Sequence, residues 1–457
     1  MIALYLLWLA IMLVFGGILA LADPQETRKP PKQLLKRNVQ GFVFGRYRPF
    51  LCKAGFFVKP EQADGHILAC GGAGSGKSSG LAVPSLMAWG SSVFAVDIKG
   101  ELSAATAGRT APRKIFNPMS HDTQGFDPYY LLHDNYNPSQ EAHEIAVAIL
   151  PELADIKDPF WVRAAQNLLT GFILHYHQEG YDFVNTITEI LSKPVDLHVK
   201  YILNETRSPT ARFHFSQFAT LEDKTLAGIF AELSNHIMIF ATDRHVKAAL
   251  SKESIITPQD LEHGIDVFLS IPEDKLDQWR PLLTLITNQF LKHFERRPEN
   301  TAKPILFLLD EFPRLGKIER IATGLTTLRS KKITIALIIQ SLAQLDFLYG
   351  RDLRRVILDN CAYKAILGAS DAETQEYFSR LVGTHRVMEQ ALSTSYLPYD
   401  TEEQGHTVSE HLIEQWRIPP HEFATLKDIV LLTPWGYFRA GKMRPVEWRK
   451  TNAALLR

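Results

Sequence analysis

Apolar residues fall into one long run at the N-terminus and a series of short runs further along the chain. From Ile2 to Ala22 no residue is charged, and Leu, Ile and Ala predominate. At about 1.5 Å per residue, a helix of this length covers the roughly 30 Å hydrocarbon core of a bilayer. The pattern predicts one transmembrane helix within residues 1–22. The basic residues follow the run: Arg28, Lys29, Lys32, Lys36, Arg37, Arg46, Arg48, Lys53 and Lys59, with no Asp or Glu among them. A cleaved signal peptide carries its charges on the other side. The positive-inside rule therefore places the bulk of the chain in the cytoplasm. The basic juxtamembrane segment 23–64 reads as a topology signal in contact with anionic lipid head groups.

Beyond Gly65, short apolar runs alternate with helical periodicity. The runs are His66–Cys70, Ser92–Asp97, Lys114–Asn117, Asp266–Ile271, Ile305–Asp310, Thr334–Gln340 and Ala362–Leu367. Such alternation predicts a mainly parallel sheet covered by helices on both faces. Residues 137–250 depart from it, with no strand pattern and with apolar residues at three- and four-residue spacing in Phe160–Gln178 and Ala211–Phe240. The predicted architecture is an α/β domain from residues 65–136 and 251–457, interrupted by an inserted all-α domain at 137–250. Phe213, Phe215 and Phe218 sit at helical spacing in the insert and read as core in preference to base-stacking platforms. The tract Leu392–His406 is rich in Ser, Thr, Pro and Gly and predicts an exposed loop.

Composition narrows the class. At 457 residues, with 46 % hydrophobic and 22 % charged, the chain has room for two or three domains and is no disordered or coiled-coil sequence. Lys plus Arg number 50 and Asp plus Glu number 50, so no global basic excess advertises nucleic acid. The cysteines Cys52, Cys70 and Cys361 lie far apart, which excludes a disulfide framework or a zinc cage.

The candidate chemistry begins at Gly71-Gly72-Ala73-Gly74-Ser75-Gly76-Lys77-Ser78, followed by Ser79. The segment fits G-x-x-x-x-G-K-[ST], after an apolar run and before a helical pattern, which is the context a phosphate-binding loop requires. Glycines let backbone N–H groups surround phosphate oxygens, and the helix N-terminus adds partial positive charge. Lys77 would reach the β- and γ-phosphates, and the Ser78 hydroxyl would ligate Mg²⁺. The run Ile305–Leu309 reads as a central parallel strand ending in Asp310-Glu311. Asp310 there can serve the metal shell, and Glu311 can polarise an attacking water. Gln340, at the tip of the next predicted strand, can sense the γ-phosphate or order that water. Together these point to a nucleoside triphosphate hydrolase and away from a small-molecule kinase, whose lid and substrate pocket would lie nearby.

These residues also carry a resemblance. The chain resembles the type IV secretion system coupling proteins of the conjugative TraG/TraD kind, across residues 28–447. The marks are the phosphate loop followed by Leu81-Ala82-Val83-Pro84-Ser85-Leu86, then Val96–Glu101, Phe116-Asn117-Pro118 and Phe160-Trp161. Leu309-Asp310-Glu311-Phe312-Pro313-Arg314-Leu315-Gly316-Lys317, Ile338–Leu345 and Tyr349-Gly350 complete them. It differs in having one apolar run where the family usually has two membrane helices, in lacking a long acidic tail, and in Asp127-Pro128 where Asn-Pro is usual. The resemblance implies a RecA-like phosphate-loop ATPase using ATP and Mg²⁺, anchored in the bacterial inner membrane and assembled as a homohexamer. It implies partners among the secretion channel components, a relaxase or effector proteins, and DNA, chiefly single-stranded. The rival readings are a duplex-DNA translocase of the FtsK/HerA type without a secretion partner, and a tethered adaptor with a vestigial site. The resemblance also implies an arginine acting on a neighbouring subunit's ATP. About twelve helical residues after Lys317 carry the chain roughly 18 Å from the strand end, which makes Arg329 the candidate ahead of Arg314 and Arg320.

Overall fold

The computed structural model describes residues 29–36, 39–47, 55–133, 137–154, 156–299, 303–395 and 405–443. The apolar run 2–22 and the basic residues Arg28, Arg37, Arg48 and Lys53 lie outside them. Among the described residues no helix is long and apolar enough to cross a membrane.

A small antiparallel sheet of β1 (Leu35–Lys36), β2 (Phe42–Tyr47) and β3 (Gly55–Lys59) precedes the main one. The main sheet takes β4 (Ile67–Cys70), β5 (Val93–Ile98), β6 (Arg113–Phe116), β7 (Asp266–Ile271), β8 (Ile305–Leu309), β9 (Ile333–Ile339) and β10 (Tyr363–Ile366). These run parallel in the order β10-β4-β9-β8-β5-β7-β6. Each of β4, β5, β7, β8 and β9 is buried along its whole length. Burial on both faces is why they read as unbroken apolar runs instead of alternating ones. After the hairpin of β11 (Thr384–Ser395) and β12 (Gly405–Trp416), β13 (Ile429–Thr433) and β14 (Gly436–Ala440) extend the sheet antiparallel beyond β10.

Helices fill Pro138–Leu250, with no strand there among the described residues. Their apolar faces share one core with one side of the sheet, where Leu168, Phe172 and Ile229 join Phe94 and Leu309. A second cluster covers the other side, with Leu81 and Trp89 packed over Ile67, Ala69 and Ile338. Phe215 and Phe218 are buried, whereas Phe213 is 77 % exposed.

Three expectations are corrected, the first being Phe213, which reads as core in the sequence and is exposed. The tract Leu392–His406 is not all loop: β11 continues to Ser395 and β12 starts at Gly405, with 396–404 outside the described residues. Along residues 384–389 no residue on either face of the ribbon is buried, so no apolar alternation marks the strand. Lys59 is not a lipid-facing cation. It is fully buried, donating to Ala63 O (2.5 Å), Thr334 Oγ1 (2.9 Å) and Pro60 O (3.4 Å), with its Nζ 5.9 Å from the Trp89 ring centre. It ties the end of β3 to the start of β9.

Burial pushes the Lys59 ammonium down to about 7, against the opposing pull of Asp64 and Glu61. A folded pKa below the unfolded value means that the unfolded chain binds more protons between the two, so stability rises with pH there. Relative to a Lys59→Met variant, the parent should gain about 2 kcal/mol of unfolding free energy between pH 7 and pH 9. Denaturant titrations of both proteins at the two pH values measure this, and identical pH dependences would contradict it.

Candidate functional site

The phosphate loop leaves β4 at the sheet's C-terminal edge. Gly71 N–H donates to Ile339 O at 3.1 Å, which fixes the loop's start against β9. Gly74 (φ 72°) and Gly76 (φ 93°) take left-handed backbone that only glycine adopts without strain. Nothing lies within 4 Å of where a Cβ would stand at either position, so the loop's concave side is open to a ligand. The helix that follows is wound wide over Lys77–Ala82, with Val83 N–H bonded to Ser78 O, and then continues as an α-helix over Val83–Ala88. Pro84 has no N–H to offer the preceding turn, and the wider winding falls immediately before it.

Five predicted residues meet in and around this loop. Lys77 is buried, with Nζ donating to Gly71 O (2.6 Å) and Gly72 O (2.9 Å). Ser78 Oγ donates to Asp310 Oδ2 at 2.8 Å. Glu311 N–H donates to Asp310 Oδ1 (2.9 Å), and Gln340 Nε2 donates to Glu311 Oε2 (2.7 Å). Glu311 itself sits at φ 48°, a left-handed turn that directs the chain off β8 at once. All of these, with Ala73, Ser75 and Ser79, line one cleft of about 440 Å³. Burial pushes the Asp310 carboxyl above the usual carboxylate range, and the Ser78 hydrogen bond pulls it part of the way back.

The hydroxyl of Ser78 and the carboxylate of Asp310 are hard oxygen donors held side by side. That donor set suits Mg²⁺, which binds through one or two protein oxygens together with phosphate oxygens. Among the described residues no cluster of three His, Cys, Asp or Glu side chains offers an alternative metal cage.

Arg329 lies elsewhere. It is exposed, beyond the helix Ile321–Thr327 and just before β9, and Lys332 N–H donates to its carbonyl at 3.2 Å. Its charge helps to depress His66 at the head of β4, which burial above all, then Lys59, pushes down to about 3. The seven residues of β9, at about 3.3 Å each, separate that edge from the phosphate loop. Arg320 is taken up by Glu144 and Glu295.

A family model described as Type IV secretory system Conjugative DNA transfer matches residues 21–433. The chain belongs to this family. Protein VirD4 of Rhizobium rhizogenes is 26 % identical over 375 residues, 79 % of this chain and 54 % of that protein. A conjugal transfer protein TraG of Escherichia coli is 28 % identical over 404 residues, 79 % of this chain and 63 % of that one. The chain spans about half the length of the curated relatives it matches. The plasmid coupling protein TrwB, solved with the non-hydrolysable ATP analogue ADPNP, superposes with a TM-score of 0.69 over 92 % of this chain and 91 % of that chain, at 19 % identity. That likeness shows the fold.

Lys99, Glu273 and Arg314 line the cleft as well, and of these only Arg314 carries a role from the sequence, as a lesser candidate for acting on a neighbour's ATP. Lys99 and Arg314 lie inside segments that mark the family, but only the folded chain brings them to Glu273.

A folded pKa raised by burial means that ionised Asp310 costs stability once the pH is above it. Asp310→Asn keeps an oxygen for Ser78 and removes the charge. At pH 7.5 the variant should unfold at an equal or higher urea concentration than the parent, with the difference shrinking as the pH falls through the raised folded pKa toward the unfolded value of about 4. A lower midpoint for the variant at neutral pH would contradict this account of the site.

Proposed function

We propose that the chain is a membrane-anchored ATPase that feeds relaxase-bound single-stranded DNA or effector proteins to a type IV secretion channel. The observation that carries the chemistry is the gathering of Asp310, Glu311 and Gln340 against the phosphate loop. Family membership and the nucleotide complexes of TrwB support ATP as the substrate. They favour the secretion reading over a duplex-DNA translocase of the FtsK/HerA type.

In this reading residues 65–136 and 251–457 form the RecA-like motor, residues 137–250 the inserted all-α domain, and residues 1–22 a single-pass anchor in the bacterial inner membrane. Backbone N–H groups from Gly71 to Ser79 would hold the phosphates. Lys77 would exchange the loop carbonyls for the β- and γ-phosphate oxygens, trading neutral acceptors for charged ones. Ser78 and Asp310 would hold Mg²⁺, whose charge would offset that developing during phosphoryl transfer. Glu311 would take a proton from the attacking water, and the amide of Gln340 holds that carboxylate in place. In a homohexameric ring, Arg329 at the opposite sheet edge would face the next protomer's γ-phosphate and stabilise its charge. Release of the full chain from membranes by carbonate alone would contradict the anchor.

Turnover is the direct test. The parent should hydrolyse ATP, faster with single-stranded DNA, and Glu311→Gln should bind ATP normally while losing about 10²–10⁴-fold in rate, as removal of a general base does. A variant rate within about threefold of the parent would remove Glu311 from this role.

Mixing inactive variants tests Arg329. A ring junction that pairs an intact Lys77 site with a neighbour's intact Arg329 should recover partial activity when Arg329→Ala and Lys77→Ala proteins co-assemble. No recovery in co-assembled mixtures, or normal turnover by Arg329→Ala alone, would sink the assignment.

A further inference from the structure

The cleft has a wall that the reading above does not use. Lys99 follows β5, Glu273 follows β7 and Arg314 follows β8, so three separate chain segments deliver them to one place. Glu273 Oε1 accepts from Arg314 Nη1 at 2.7 Å, and Oε2 lies 3.1 Å from Lys99 Nζ. The Arg314 hydrogen bond first, and then that of Lys99, hold the Glu273 carboxyl below the usual carboxylate range. Two cations therefore share one carboxylate within this trio.

Backbone strain marks the same wall. Among the described residues three non-glycine residues have positive φ, namely Lys99 (86°), Glu311 (48°) and Lys332 (59°). Two of the three, Lys99 and Glu311, line this cleft. Lys99 is held in the left-handed region by its N–H bond to Ile271 O at 3.1 Å. A side chain in that region costs on the order of 1 kcal/mol or more, and such costs persist where the surroundings impose them, often at ligand clamps.

The ion pairs themselves are weak holders. The side chains of Lys99, Glu273 and Arg314 are 52 %, 49 % and 34 % exposed, and pairs this open to water contribute little. A terminal phosphate group, with more charge and three oxygens, is a better partner for a planar guanidinium fork than one half-solvated carboxylate. Arg314 is the cation suited to move. It offers the fork, it is the less exposed of the two, and it stands in the short turn Phe312–Leu315 directly after Asp310 and Glu311. Lys99 can stay behind to neutralise Glu273.

We propose that Arg314 is this chain's own sensor of the terminal phosphate, docked on Glu273 when the loop holds a diphosphate and transferred to the γ-phosphate when it holds a triphosphate. The inference rests on the nucleotide-hydrolase reading above. It differs from the part given to Arg329, because Arg314 acts on the site of its own subunit.

The experiment compares the affinities of ADP and of a non-hydrolysable ATP analogue, both with Mg²⁺, for the full chain and its variants. The parent should bind the analogue more tightly than ADP. Arg314→Ala should lose about tenfold or more in analogue affinity, the worth of one charge-assisted hydrogen bond, while ADP affinity stays within about twofold. Arg314→Lys, which keeps the charge without the fork, should lose less. Glu273→Gln, which loosens the hold on Arg314, should bind the analogue at least as tightly as the parent and leave ADP unchanged. Equal losses for both nucleotides in Arg314→Ala, or no loss for either, would overturn the sensor while leaving the nucleotide site standing. A parent that binds neither nucleotide would overturn the hydrolase reading and the sensor with it.

Discussion

Everything at the site depends on the parallel register of β4, β9 and β8. Cys70 pairs with Ile339 across the first seam, and Leu309 pairs with Leu337 across the second. The residues that follow each strand end are therefore brought to one edge: the phosphate loop, Gln340 and Asp310-Glu311. Because the strands are buried on both faces, a slip of one residue would re-sort every side chain between two packed layers. Burial sets the register, and the register sets the chemistry. The ligand edge of an open α/β sheet lies at the carboxyl ends of its strands, and here three adjacent ends converge.

The charges placed at that edge are costly to keep there. Lys77 and Asp310 are each 6 % exposed, and an unpaired buried charge is strongly unfavourable. Both have partners already. Lys77 is bound by two loop carbonyls, and Asp310 by the Ser78 hydroxyl and the Glu311 N–H. Neutral partners such as these keep the ions tolerable without satisfying them as an opposite charge would. The site is thereby pre-arranged for ligands that bring charge of their own.

What was legible in the sequence follows the same physics. Five of the seven parallel strands could be read because double burial leaves unbroken apolar runs, and the phosphate loop because its signal is local. Asp310 and Gln340 could be placed at strand ends, but nothing in the sequence says that β9 lies between β4 and β8. The sheet of β1–β3 was hidden within a basic segment, since Lys59 reads as a surface cation until its three acceptors are seen. The β11–β12 ribbon was hidden because a strand wetted on both faces carries no alternation. The contact of Arg314 with Glu273 spans 41 residues and joins two different crossovers, a relation that only the folded chain contains.

The same topology determines how events at the loop reach the helical insert. Leu168, Phe172 and Ile229 share a core with Phe94 and Leu309. Pulling the insert away would expose such side chains at about 1.5–3 kcal/mol each, so it cannot move as a free body. Its polar links run both to the helix Arg280–Glu295, where Lys292 pairs with Glu141 and Glu144 and Thr284 Oγ1 donates to Ala148 O, and to the segment that leaves β8. Lys317 Nζ donates to the carbonyl of Glu152, and Arg320 Nε donates to Glu144 Oε2 at 2.9 Å while Nη1 reaches Glu295. Between Glu311 and these links stands Gly316 (φ 88°), where a Cβ would lie 2.6 Å from Arg280 Cδ. The segment is thus fixed to the site at one end and to the insert at the other, with its middle packed against the helix Arg280–Glu295. A displacement of Glu311 or Arg314 reaches Lys317 and Arg320 along a few residues of chain, and passes from them to Glu152 and Glu144 through hydrogen bonds.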